Sequence, residues 1–145
     1  MAGKTDVFEN DIQKLIFWGT AIANIADNAA TSPITTLYLS LHTADPTDAA
    51  ASGQNTNETT YTGYARVGLN RNSGAWNIVG NVVSPLAEIV FGPCTAGTAS
   101  ITHVGIGTAA SGAGKLLYSG AITPAIAVGV GVTPRITTAS TLTED

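Results

Sequence analysis

The sequence predicts a mainly β protein: an antiparallel β-sandwich or jelly-roll-like barrel with one N-terminal α-helix. Three observations carry this expectation. The stretch Ile101 to Ile122, ITHVGIGTAASGAGKLLYSGAI, reads as two strands joined by a Gly/Ala/Ser turn. On its first strand Thr102, Val104, Ile106 and Thr108 face one way, and Ile101, His103, Gly105 and Gly107 the other. The stretch Ile34 to His42 alternates even more cleanly, with Leu37, Leu39 and Leu41 on one face and Thr36, Tyr38, Ser40 and His42 on the other. Finally, charged residues make up only 11% of the chain, well below the usual quarter, and small and β-branched residues take their place.

A length of 145 residues is enough for one domain with a real core, and the whole chain is expected to form it. Residues 5–28 are predicted to be the helix, or an arm. Asp6 and Glu9 stand at capping-box spacing, and Phe8, Ile12, Leu15, Ile16, Ala23 and Ala26 recur at helical spacing. Phe17, Trp18, Ile22 and Ile25 widen the apolar surface beyond one stripe, so the helix either packs on its own sheet or docks on another subunit. Asp27 and Asn28 are expected to end it, and Pro33 to confirm the exit.

The sandwich is then expected over residues 34–143. After the strand at 34–42, residues 47–62 form a long polar loop without periodicity, either a mobile surface loop or a partner contact. Tyr64 to Asn70 is a short strand, in which Arg66 is either an edge charge that blocks unwanted pairing or half of an ion pair; the edge role is the favoured expectation. Trp76 to Val83 follows, with Gly80 and Asn81 as a turn or bulge, and then Glu88 to Phe91. The central hairpin returns along Lys115 to Ile122. Pro124 to Thr133 alternates small and aliphatic residues, with Gly129 and Gly131 on the face of Ala125 and Ala127. A last Thr-rich strand is expected over Arg135 to Thr143.

Chemical motifs are sparse. Gly112, Gly114 and Lys115 glance at a phosphate loop, but Ala109 and Leu116 stand where that motif needs Gly and Ser or Thr. His42 and His103 lie far apart in sequence, the single Cys94 has no nearby companions, and no metal site is expected. Cys94 reads as a small buried residue and His103 as a hydrogen-bonded structural histidine. His42 and Asp45 are close, but no nucleophile completes a catalytic set. No catalytic residue and no cofactor are therefore expected, and the protein is not expected to be an enzyme. With a net charge of −4 and six scattered basic residues, no nucleic-acid surface is expected. No apolar run approaches the ~20 residues of a membrane span, and the acidic N-terminus does not read as an export signal.

The order of the pieces carries a resemblance. LYLSLHTADP at Leu37 to Pro46, GYARV at Gly63 to Val67, THVGI at Thr102 to Ile106, and KLLYSG at Lys115 to Gly120 resemble a family of small tailed-phage virion proteins. These are often labelled tail fibre proteins in phage and prophage genomes. The chain departs from that pattern in its NTNETT loop and in Gly-Thr after THVGI, where relatives tend to carry Trp-Asp or Phe-Asp. The resemblance implies a non-enzymatic virion structural protein made in the bacterial cytoplasm.

Compact size, low charge and an apolar helix favour a capsid decoration, or cement, protein bound in many copies on the outer capsid surface. Its partners would be the major capsid protein, copies of itself, or both. A tail fibre or tail-tip adaptor held by tail proteins is the alternative. A carbohydrate-binding β-module using Tyr61, Tyr64 and Trp76 is the second alternative. The interface residues expected are Phe8, Ile12, Phe17, Trp18 and Ile22 on the helix, with Tyr61 and Tyr64 near the end of the polar loop.

Overall fold

In the computed structural model, residues 6–21, 34–47 and 53–144 are described, with side chains from Glu9 onward. The protein is mainly β, its paired sheets are antiparallel, and one short helix stands near the N-terminus. Among the described residues the strands form a four-stranded, a three-stranded and a two-stranded sheet. The chain divides into two compact units, one of residues 1–35, 70–89 and 136–145, the other of residues 36–69 and 90–135.

The first unit is built on α1 (Asp6–Gln13), which runs on as a π-helical turn over Lys14–Trp18. The helix ends there, and not at Asn28. Gly19 takes a left-handed φ of 68°, and its amide closes back on the Lys14 carbonyl, so the backbone turns away. The apolar spacing of Ile22, Ile25 and Ala26 carried the expectation past this stop; residues 22–33 lie outside the described residues. β3 (Trp76–Val79) and β4 (Val82–Pro85) form a hairpin in which Val79 pairs with Val82. Gly80 and Asn81 are therefore a two-residue turn, with Gly80 at a φ of 62° that a two-residue hairpin favours. β9 (Leu142–Thr143) adds to β4. Asn81 ties it down, donating from Nδ2 to the Glu144 carbonyl at 2.9 Å and accepting the Glu144 amide at 3.0 Å.

This unit's interior is aromatic. The Phe17 ring, fully buried, meets Trp76 edge to face with centroids 4.6 Å apart, and Val83, Ile89 and Ile136 are buried as well. Arg71 supplies the helix C-terminus with a cap. Its guanidinium donates to the carbonyls of Leu15 and Ile16, where the helix leaves acceptors unsatisfied, and also to Ile34.

The second unit holds the four-stranded sheet, in the order β2 (Val67–Asn70), β1 (Thr36–His42), β6 (Ala99–Gly107), β7 (Leu116–Val128). The expected alternation of β1 appears as buried Leu37, Leu39 and Leu41, each contributing about 2 kcal/mol of apolar burial. Tyr61, Phe91, Cys94, Ile101 and Val128 are buried in this interior as well. The central hairpin of the sequence is β6–β7, but β7 does not stop at Ile122, where the return strand was expected to end. It runs on to Val128, and residues 122–125 bulge out opposite Thr102 alone. A proline is accommodated because β7 is the sheet's outer strand and its missing N–H costs no ladder bond.

Gly129 and Gly131 accordingly belong to a turn and not to a strand face. The Val132 amide donates to the Gly129 carbonyl at 2.9 Å, and Gly131 sits at a φ of 87°. The Thr-rich C-terminal run is likewise two short strands, β8 (Arg135–Ile136) and β9, separated by a turn in which Ser140 N–H bonds Thr137 O at 3.0 Å. Hydroxyl-bearing residues compete for their own backbone and so favour such a break. β8 pairs with β5 (Ile89–Val90).

Candidate functional site

In the second unit both faces of β1 are covered. Ser40 and His42, on the face opposite the leucines, are fully buried. What covers them is the polar loop. Its described part, residues 53–62, folds back onto the sheet edge. Thr43 N–H bonds Asn57 O at 2.9 Å, Thr59 N–H bonds Leu41 O at 2.9 Å, and Gln54 N–H bonds Gly114 O at 2.7 Å. Residues 48–52 lie outside the described residues. Residues 53–62 thus cover the unit's interior, with Gln54, Thr59 and Tyr61 buried among them.

Arg66 is the centre of this arrangement. Its Nε and Nη2 each meet a Glu58 oxygen at 2.7 Å, a two-pronged ion pair. The remaining donors reach the carbonyls of Ala109 at 2.9 Å and Gly112 at 2.7 Å, so one guanidinium fastens both the loop and the tip of the β6–β7 hairpin. The edge-charge expectation for Arg66 is therefore corrected. Its side chain is 2% exposed, where a charge persists only with a partner. The Glu58 carboxylate, through its hydrogen bonds, raises the guanidinium's already high pKa. Tyr64 donates to Glu58 Oε1 at 2.7 Å and accepts the Leu41 amide at 3.0 Å. Burial, and then the Glu58 carboxylate, push its phenol far above the ordinary value.

Beside this clamp lies a second polar contact. His42 Nδ1 stands 2.8 Å from the Thr56 carbonyl, and Nε2 stands 2.9 Å from Ser40 Oγ. A carbonyl only accepts, so Nδ1 carries the proton and Nε2 receives the Ser40 hydroxyl. Asp45 plays no part in it: its carboxylate accepts the Thr47 amide at 2.8 Å. A hydroxyl–imidazole pair can serve nucleophilic chemistry; both residues of this one are fully buried. Gly105 makes the packing possible, since a Cβ there would stand 2.7 Å from His42 Nε2. His103, paired across the ladder with His42, bonds Thr102 Oγ1 through Nδ1 at 2.9 Å.

The residues expected at an interface are scattered. Phe17 and Tyr61 are interior residues, not surface anchors: Phe17 lies under Trp76, and Tyr61 bonds Gly92 O at 2.8 Å while its ring meets Tyr64. Tyr64 stacks on Phe91. With Trp76 also buried, the aromatic trio considered for sugar binding presents no open platform. Ile12 and Trp18 are half-buried, and Trp18 Nε1 bonds the Trp76 carbonyl at 3.2 Å. The side chain of Phe8, and Ile22 as a whole, lie outside the described residues.

Among the described residues the most exposed aliphatic side chains are instead Val130 and Val79, at 73% and 67% exposure. Both adjoin glycine turns, a signal visible in GVGV and IVGN that periodicity passes over. Among the described residues no cluster of His, Cys, Asp or Glu could hold a metal ion, and no helix is long and apolar enough to cross a membrane.

A family model described as Podophage GP4 fiber I protein gp80 matches residues 4–143, nearly the whole chain. Comparison with curated proteins gave no match.

Proposed function

We propose that this chain, which belongs to the Podophage GP4 fiber I protein gp80 family, is a non-enzymatic fibre component of a tailed-phage particle. Membership makes it a phage virion structural protein of a fibre family, and the match takes in every motif on which the resemblance rests. The observation that carries the finer proposal is the family's own description, a fibre protein, over nearly the full length. It favours the fibre alternative over the capsid-surface role that size and composition favoured. The structure supports a mechanical part. The hydroxyl–imidazole pair is sealed, and charged groups in the second unit fasten a loop and a hairpin tip. Its partners are other virion proteins, met through exposed turns such as those at Val79 and Val130.

Particles assembled without this chain test the proposal. The expected result is filled, intact heads that lack fibres and fail to adsorb to cells. Heads that lose their DNA on mild heating while fibres remain in place would favour the capsid cement role instead.

A further inference from the structure

The polar cluster under residues 53–62 contains one imidazole, that of His42, held by a loop carbonyl on one side and a strand hydroxyl on the other. We propose that His42 is an acid-sensitive latch, whose protonation releases residues 53–62 from the edge of β1.

The geometry argues for this step by step. The neutral ring is fully matched: its one N–H goes to Thr56 O and its one lone pair receives the Ser40 hydroxyl. A proton on Nε2 changes that second contact. Ser40 must then accept, and its own hydroxyl has only the Gly105 carbonyl to turn to, at a long 3.5 Å. Water cannot take over the solvation of the charged ring, because the Gly105 backbone closes the space beside Nε2 and His42 is fully buried.

The charged and titratable groups that face the ring among the described residues are Glu58 on the loop, Arg66 ahead of β2, and His103 on β6. Glu58 favours the proton, but its carboxylate is already engaged by Arg66 and Tyr64; Arg66 and His103 oppose the proton. Burial is the largest influence and holds the ring's pKa below its ordinary 6.5. Released chain solvates the charged ring freely, so the released state binds the proton more readily. Attachment of the loop is unaffected above pH 6.5 and weakens as pH falls below it. The inference is independent of where in the particle the chain sits, since it concerns one loop of the isolated protein.

Amide hydrogen exchange of the full chain near pH 7.5 and near pH 5, corrected for the intrinsic rates, tests it. The amides of Gln54 and Thr59, which bond Gly114 and Leu41, should exchange faster in acid, by up to about tenfold per pH unit. The β3–β4 amides should not change in step with them. His42→Asn keeps a donor for Thr56 but cannot take a proton, and it should abolish the acid response. No acceleration, acceleration spread evenly over the chain, or a response that survives in His42→Asn would each overturn the proposal. Should that variant fail to fold, NMR titration of the His42 ring in the native chain decides. Ring protonation that coincides with faster exchange at Gln54 and Thr59 supports the latch; ring protonation without it refutes the latch.

Discussion

The two units hold their interiors together by different chemistry. In one, Phe17 and Trp76 meet edge to face, and the polar groups that approach them bond mostly to backbone carbonyls. In the other, a guanidinium, a phenol and an imidazole lie beneath a loop and bond chiefly to that loop's carboxylate and backbone. Aromatic contact tolerates small shifts of its partners. A two-pronged ion pair does not, because both its prongs must align at once. The polar unit therefore trades tolerance for placement: its loop and its hairpin tip sit where Arg66 puts them.

Arg66→Ala should break this contrast most sharply. It leaves Glu58 partly buried without its counter-charge, and we expect a loss of about 3–5 kcal/mol in urea unfolding. Replacing both partners, Glu58→Met with Arg66→Met, should cost distinctly less than Arg66→Ala alone. If the double variant is the worse of the two, charge pairing is not what holds the loop. Phe17→Ala is the matching test in the aromatic unit. Half-buried Ile12 and Trp18 can settle toward the gap, so a loss of about 3 kcal/mol is expected by the same measurement.

Tyr64→Phe removes one hydroxyl that both donates and accepts, orphaning the Leu41 amide. It should cost about 1–3 kcal/mol, with faster amide exchange at Leu41. Trp18→Phe keeps most of the apolar contact and loses only the bond to the Trp76 carbonyl, so about 1 kcal/mol is expected. If Trp18→Phe costs more than Tyr64→Phe, the contrast between the units is drawn the wrong way.

How much of this was legible in the sequence follows from the range of the forces involved. Leu37, Leu39 and Leu41 announce their buried face because strand alternation is local. The burial of Ser40 and His42 on the other face could not be read, since their cover is a loop without periodicity, fixed by Arg66 and by the missing side chain of Gly105. Arg66 looked like an edge charge because nothing local distinguishes one that meets Glu58 from one that meets water. The helix was drawn too long because apolar spacing continues past Gly19, while the stop lies in a backbone angle and in a cap lent by distant Arg71. The return strand was expected to end at Ile122, ahead of Pro124, whereas an outer strand tolerates that proline and carries on. Of the expected interface residues, Phe17 and Tyr61 failed as surface anchors for one reason: large aromatic residues are as useful inside a small unit as between two proteins.

A cryo-EM map of the assembled particle, with this chain's density identified, tests the central claim most directly. The account predicts that the chain lies in fibres attached to the tail, with the Arg66–Glu58 clamp internal to each copy and the turns at Val79 and Val130 turned toward neighbours. Density for this chain spread over the capsid lattice and missing from the fibres would contradict it.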